Sequence, residues 1–225
     1  QDEREAVQVA KKYLSYFQGE TSDWDVQDQR TLRHLVPENR LRAYDIRKVI
    51  NVLFDTDSVL ELRKDFGIGI ITSLVRIEGK PIGVIANNPN HLGGAIDADA
   101  ADKASRFMQL CDSYDLPIIS LCDTPGFMVG PAHEKLGAVK RLNRMFAAGA
   151  KLTVPFIAVV LRKCYGLGAQ AMLGGSTSSP DYTVSWPSGE FGAMGLEGAV
   201  KLGFKSELSQ IEDEGERQLR FEKLL

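Results

Sequence analysis

The 225-residue sequence contains little of what would mark it as a membrane, disulfide-rich, metal-binding or polyanion-binding protein. Its longest apolar runs, residues 116–122 and 154–161, fall far short of the roughly 20 residues that a membrane-spanning helix needs, and no signal peptide opens it. It is therefore expected to be soluble and intracellular, in the cytoplasm or, for a eukaryotic protein, the mitochondrial matrix. A formal net charge of −3 supplies no field to attract nucleic acid or an anionic membrane. Cysteines 111, 122 and 164 are odd in number and widely spaced, without a C-x-x-C pair, so they read as buried thiols rather than a disulfide framework or zinc site. His34, His91 and His133 are scattered, with no i, i+4 ligand pair, so no metal is expected.

What is present is ordinary globular material: 44% hydrophobic and 25% charged residues, enough for one sizeable core with an attached segment. Ala6, Val9, Ala10, Tyr13, Leu14 and Phe17 recur at helical spacing and predict an amphipathic helix over 3–17 without a clear cap. A polar linker over 19–38 comes next. Ile46, Val49, Ile50, Leu53 and Phe54 predict a second helix, and residues 59–66 a third, short one. Residues 67–77 and 81–86, on either side of Glu78-Gly79-Lys80, read as an antiparallel hairpin. Beyond it come a helix carrying Ala100, Ala104, Phe107, Met108 and Cys111, a buried-type strand at 116–122, a helix marked by Val139, Leu142, Met145 and Phe146, and a buried-type strand at 154–161. Strands alternating with helices predict an α/β fold with parallel crossovers and helices packed on the sheet.

Glycines come after each strand of that series: Gly93-Gly94, Gly126, and Gly166 with Gly168. Their loops should gather along one sheet edge, where helix N-termini present unpaired N–H groups and glycine lets backbone approach a ligand oxygen. For any one such loop, a tight turn is the ordinary explanation. Sharper motifs fit poorly. Asp123-Thr-Pro-Gly126 mimics a GTPase D-x-x-G, but no phosphate-cradling loop precedes it. Gly166-Leu-Gly168-Ala-Gln-Ala171 fits G-x-G-x-x-A, with Glu190 as a conceivable ribose ligand, yet residues 162–165 separate it from the apolar strand. Cys164, His133 and Asp123 have no spacing that unites them as a nucleophile set. No serine occurs in 162–173, which disfavours a hydrolase.

Taken in order, Asp123-Thr-Pro-Gly-Phe127 with Gly130, Arg162-Lys163-Cys-Tyr165-Gly166, Trp186-Pro187 and Met194-Gly195-Leu-Glu-Gly198-Ala199 resemble the carboxyltransferase β-subunit family of biotin-dependent acyl-CoA carboxylases and the related decarboxylases. The resemblance is to the C-terminal half of that subunit, in its propionyl-, acetyl- and methylcrotonyl-CoA carboxylase types. It runs from about Arg40 to Phe204. It implies a crotonase/ClpP-like fold of repeated ββα units and an active site at a dimer interface, with acyl-CoA on one partner's N-terminal half and biotin on the other's C-terminal half. Residues 1–38 then correspond to a helix and polar connection from a preceding domain, and 39–225 to the carboxyltransferase C-terminal domain. The chain would be a fragment, its last segment, 206–225, being shorter than the family's C-terminus.

The resemblance further implies carboxyl transfer from carboxybiotin to an acyl-CoA. Carboxybiotin releases CO2 and the biotin enolate removes the α-proton, so the protein chiefly stabilises oxyanions and positions reactants. Gly166, Leu167 and Gly168 match the backbone oxyanion hole. Pro125, Gly126 and Phe127 match the biotin side of the cleft, and Arg162, Lys163 and Tyr165 the strand end beside it, so all six are expected to bind biotin, although Arg162 and Lys163 are equally readable as solvated surface charges. Trp186-Pro187 and Met194-Gly195 are expected to support core and subunit contacts. The implied cofactor is biotin carried on a partner, and the implied substrate an acyl-CoA thioester. The implied partners are a biotin carboxyl carrier or biotin carboxylase component, the N-terminal carboxyltransferase half and further copies of the chain. Many relatives read Gly-Ala, a bulky residue and an acid after Tyr-Gly, where this chain has Leu167-Gly168-Ala169-Gln170, so acyl preference does not carry over. Three alternatives remain open: a biotin-dependent decarboxylase subunit, a CoA-thioester hydratase or isomerase, which would need a glutamate beside the glycine loops, and a non-catalytic biotin-carrier docking or oligomerisation module.

Overall fold

The computed structural model of the chain describes residues 2–39 and 42–225. Arg40, where the resemblance begins, lies outside the described residues. Helix α1 (Glu3–Ser15) does have a cap: the Asp2 carboxylate accepts the Glu5 N–H at 2.8 Å. The stretch predicted as a polar linker holds a 3-10 turn (Gln29–Thr31) and the short helix α2 (Leu32–Leu35). Leu32 and Val36 are buried there beside α3 (Ile46–Leu53), whose Ile46, Val49 and Ile50 follow the predicted stripe.

Residues 59–66 are not a helix. Strand β1 (Leu60–Leu62) pairs antiparallel with β2 (Ile70–Ile77), setting Leu60 opposite Leu74 and Leu62 opposite Thr72. Leu60 and Leu62 pack on one core cluster, while Glu61 between them takes a two-pronged hydrogen bond from Arg47. This is period-two chemistry, which a stretch of eight residues with only four apolar side chains does not distinguish from one helical turn.

Strand β3 (Lys80–Asn87) returns antiparallel to β2 through a two-residue turn, Glu78-Gly79, in which both residues have positive φ. Both turn N–H groups donate to the buried Asp55 carboxylate, at 2.9 and 2.8 Å. The chain then crosses through α4 (Ala98–Ser113) to β4 (Ile118–Thr124), through α5 (Pro131–Lys135) and α6 (Ala138–Gly149) to β5 (Phe156–Tyr165), and through α7 (Gly166–Met172) to β6 (Tyr182–Ser185) and β7 (Glu190–Gly192). The sheet order is β1-β2-β3-β4-β5-β6, with β7 pairing the far end of β5, and every pairing from β3 onward is parallel. Helices α8 (Leu196–Gly203), α9 (Lys205–Ser209) and α10 (Glu214–Leu224) complete the chain. Among the described residues no helix is long and apolar enough to cross a membrane.

Both sheet faces are covered, so the central strands read as continuous apolar runs. Ile70, Leu74, Ile118, Cys122, Ala158 and Val160 face α4, α6 and α7; Ile71, Val75, Ile119 and Leu121 face α2 and α3. Strand β5 continues four residues past the predicted end at 161 and runs directly into α7, because residues 162–165 keep the strand conformation and Lys163–Tyr165 pair with β7.

Two features of this framework can be tested by their effect on stability. At Gly79, φ is +79° and an added Cβ would collide with the Thr21 carbonyl, so Gly79→Ala is expected to lower unfolding free energy by about 1–3 kcal/mol in denaturant melts. On α4, the Lys103 ammonium is buried without a hydrogen-bond partner, and burial pushes its pKa down from 10.5 to about 8, an effect only partly opposed by Glu61. The folded chain therefore releases this proton before the unfolded chain does, and stability rises with pH between about 8 and 10.5. Lys103→Met is expected to raise the melting temperature at pH 7, and the gain should shrink towards zero as the pH approaches 10.5.

Candidate functional site

Strands β3, β4 and β5 are parallel neighbours, so their C-terminal ends deliver three glycine-bearing loops to one edge. The contacts there are close. Ile96 N–H donates to the Gly126 carbonyl at 3.0 Å, and Met128 N–H returns to Ile96 at 2.9 Å, which joins the first loop to the second. Gly168 is buried against the second loop, and a Cβ there would stand 2.6 Å from the Gly126 carbonyl carbon and 2.8 Å from the Phe127 nitrogen. Only glycine permits this approach of backbone to backbone.

Between the second and third loops opens a cleft of about 550 Å3, lined by Pro125, Gly126, Phe127, Phe146, Gly166 and Leu167, with Val129, Val139, Lys140, Leu142, Asn143 and Ala193 completing it. Phe127 and Phe146 meet edge to face at 6.0 Å between centroids. The first turn of α7 opens onto the cleft through Gly166 and Leu167. No side chain caps this helix, so the N–H groups of its first turn remain free of intrahelical and side-chain acceptors. An uncapped helix start on an apolar cleft is a place to hold a developing oxyanion by backbone alone.

Tyr165 lies on the other side of the same loop, lining a second apolar cleft of about 690 Å3 with Phe191, Met194, Leu196 and Leu202. Its hydroxyl donates to the Glu190 carboxylate. Sequence reasoning placed Glu190 only in a nucleotide-binding pattern, and its approach to the glycine loops depends on the pairing of β7 with the end of β5. Glu134, the glutamate between Gly126 and Gly168, lies instead on α5.

Arg162 and Lys163 do not line either cleft. The Arg162 side chain is only 2% exposed, and its Nε donates at 2.9 Å to Asp123, whose carboxylate is 1% exposed. Its Nη1 reaches the carbonyls of Asn39 and Arg42, and its guanidinium lies over the Tyr44 ring at 4.6 Å. Lys163 donates its ammonium to the Gly93 carbonyl at 2.8 Å and lies 3.6 Å from Asp123; burial lowers its pKa, with Asp123 partly opposing. Arg162 is thus neither a solvated surface charge nor a cleft wall. His133 lies on α5, His91 pairs with Asp97 at 3.0 Å, and Cys122 and Cys164 are both buried thiols, the Cys122 Sγ lying 3.8 Å from the Lys163 carbonyl. Among the described residues no group of His, Cys, Asp or Glu could hold a metal. Trp186 packs against the core, whereas Met194 is exposed at the second cleft.

The carboxyl transferase domain pattern matches residues 1–224. The chain belongs to the carboxyl transferase domain family. Within the family it is similar to the methylmalonyl-CoA carboxyltransferase 12S subunit of Propionibacterium freudenreichii subsp. shermanii, with 35% identity over 221 residues, 95% of this chain and 42% of that subunit. It is 38% identical over 174 residues to the biotin-dependent long chain acyl-coenzyme A carboxylase beta4 subunit of Mycobacterium tuberculosis, covering 77% of this chain and 33% of that subunit. A solved single-chain, multi-domain long-chain acyl-CoA carboxylase superposes with a TM-score of 0.91 and 58% identity over 100% of this chain and 22% of its own. The transcarboxylase 12S hexamer, solved with methylmalonyl-coenzyme A and methylmalonic acid bound, gives 0.83 and 33% over 96% and 43%. The fold is therefore the crotonase-like α/β fold of these carboxyltransferases, and the chain spans less than half the length of the relatives it matches.

Gly168→Ala tests the packing of the two cleft loops. The methyl group has no room against Gly126, so the variant is expected to keep its far-ultraviolet spectrum but lose about 1–3 kcal/mol of stability in a urea titration.

Proposed function

We propose that this chain is the C-terminal half of an acyl-CoA carboxylase carboxyltransferase, moving a carboxyl group from carboxybiotin to an acyl-CoA. The observation that carries the reading is the convergence, in a chain of the carboxyl transferase domain family, of the 125–127 loop and the uncapped start of α7 on one apolar cleft. In this reading residues 1–38 are a helix and connection from a preceding half, and residues 39–225 the C-terminal domain.

The cleft suits a biotin ring. Its walls at Phe127, Leu142 and Phe146 are apolar, as the ring's hydrocarbon and thioether edge requires, and the uncapped start of α7, which reaches the cleft at Gly166 and Leu167, offers N–H groups to its ureido oxygen. Carboxybiotin, when docked, supplies the carboxyl group. The chain's own work is electrostatic and positional: the amides of Gly166, Leu167 and Gly168 donate to the oxygen on which charge builds, Pro125-Gly126-Phe127 holds the ring, and the apolar walls exclude water so that those hydrogen bonds act in a low dielectric. Tyr165, braced by Glu190, shapes the side of the loop away from the ring. Such backbone donors tolerate side-chain change at 167, where the leucine is exposed.

The partners in this reading are a biotin-carrying component, the N-terminal carboxyltransferase half and further copies of the chain. The solved relatives support this, since one is a multi-domain carboxylase and another a hexameric multienzyme core. The acyl-CoA would be held largely by the N-terminal half.

The test is carboxyl exchange from malonyl-, methylmalonyl- and methylglutaconyl-CoA to free biotin or biocytin, with this chain alone and joined to the N-terminal half. The expected result is transfer only in the joined form, abolished by Gly168→Pro. A folded, joined preparation that transfers from none of the three donors would overturn the reading.

A further inference from the structure

The parallel pairing of β4 with β5 breaks at its end. Between the pairs Cys122–Val160 and Thr124–Cys164, β4 advances by two residues and β5 by four. Such a bulge bends a strand and re-aims the residues beyond it, and here those residues are the two loops of the biotin cleft. At the break sits the Asp123 carboxylate, fully enclosed, with Arg162 Nε at 2.9 Å on one oxygen and the Lys163 backbone N–H at 3.2 Å on the other. The Lys163 ammonium joins it at 3.6 Å and continues to the Gly93 carbonyl. The Asp123 N–H donates to Asn87 Oδ1 at 3.0 Å, at the end of β3. One residue thus links the ends of all three strands whose loops form the site, and Arg162 ties this junction to the Asn39 and Arg42 carbonyls.

A tight apolar junction would stabilise the domain at least as well, because removing two charges from water is expensive. What the ion network supplies is directional: a carboxylate with two fixed oxygens and a forked guanidinium define the separation and twist of the strand ends. We propose that Asp123, Arg162 and Lys163 are positioning residues that set the spacing between the 125–127 and 166–168 loops without touching substrate. This rests on the carboxyltransferase reading of the cleft, and assigns Arg162 and Lys163 work behind the site rather than contact with biotin.

The experiment uses the joined protein and compares Lys163→Met, Lys163→Arg and Arg162→Lys with the parent by steady-state kinetics and by hydrogen exchange of the backbone amides. Lys163→Met, at a part-exposed position, leaves the fold intact and removes the tie to Gly93. The expected result is a fall in kcat of about 10- to 100-fold, with KM for acyl-CoA and for biocytin within about twofold. Exchange should quicken at 125–127 and 163–168 but not in α3 or α4, and Lys163→Arg should restore both kinetics and exchange. Arg162→Lys, if it folds, should show the same pattern more strongly. A rise in KM for biocytin with unchanged exchange would make these residues direct ligands and overturn the proposal, as would quickened exchange throughout the domain or no change in either quantity. If the parent protein transfers no carboxyl group, the functional reading fails separately, and local exchange at the two loops still decides whether the network sets their geometry.

Discussion

The enclosed Asp123–Arg162 pair and the bulge it spans are the constraint on which the site depends. Breaking one partner of such a buried pair leaves an uncompensated charge and costs on the order of 3–5 kcal/mol. The two strands therefore have little freedom at the point where they release their loops. Everything beyond that point, the Gly126 turn and the start of α7, inherits its direction from this junction.

The remainder of the domain supplies a rigid platform for that edge. The sheet is buried on both faces, by α4 and α6 on one side and α2 and α3 on the other, so its central strands cannot slip register without moving apolar side chains into the wrong layer. The turn at Glu78-Gly79 and the Asp55 carboxylate beneath it hold the antiparallel end of the sheet. The bonds of Arg76 to the Gly19 and Ser15 carbonyls bind the last turn of α1 and the residues after it to the same end. These contacts are remote from the cleft, yet they fix the strands whose far ends form it.

In the proposed reading the chemistry of the cleft is backbone chemistry. Among the described residues no group of His, Cys, Asp or Glu could hold a metal, and oxyanion stabilisation by a helix start, as proposed, needs only N–H groups, which every residue but proline carries. The sequence signal for such a site is therefore negative space: glycines where a Cβ would not fit, as at Gly168 against Gly126. The buried charges nearby serve geometry, and the exposed apolar surfaces of Phe191, Leu196 and Leu202 border the second cleft beside Tyr165.

By itself the sequence determined the alternation of strands and helices, the hairpin at 78–79, the buried central strands and the gathering of the glycine loops, because each rests on local periodicity or on a residue with unusual backbone freedom. The ordered motifs from Asp123 to Ala199 pointed to the family. Tertiary structure alone decided that residues 59–66 form an edge strand, since their pairing with β2 outweighs their own weak pattern. It also decided that residues 19–38 bury Leu32 and Val36, and that β5 runs on to Tyr165. The inward turn of Arg162 belongs in the same class. A charged residue after an apolar run reads as solvent-facing, and only the carboxylate 39 residues earlier in the chain, brought alongside by the parallel crossover, makes its burial affordable.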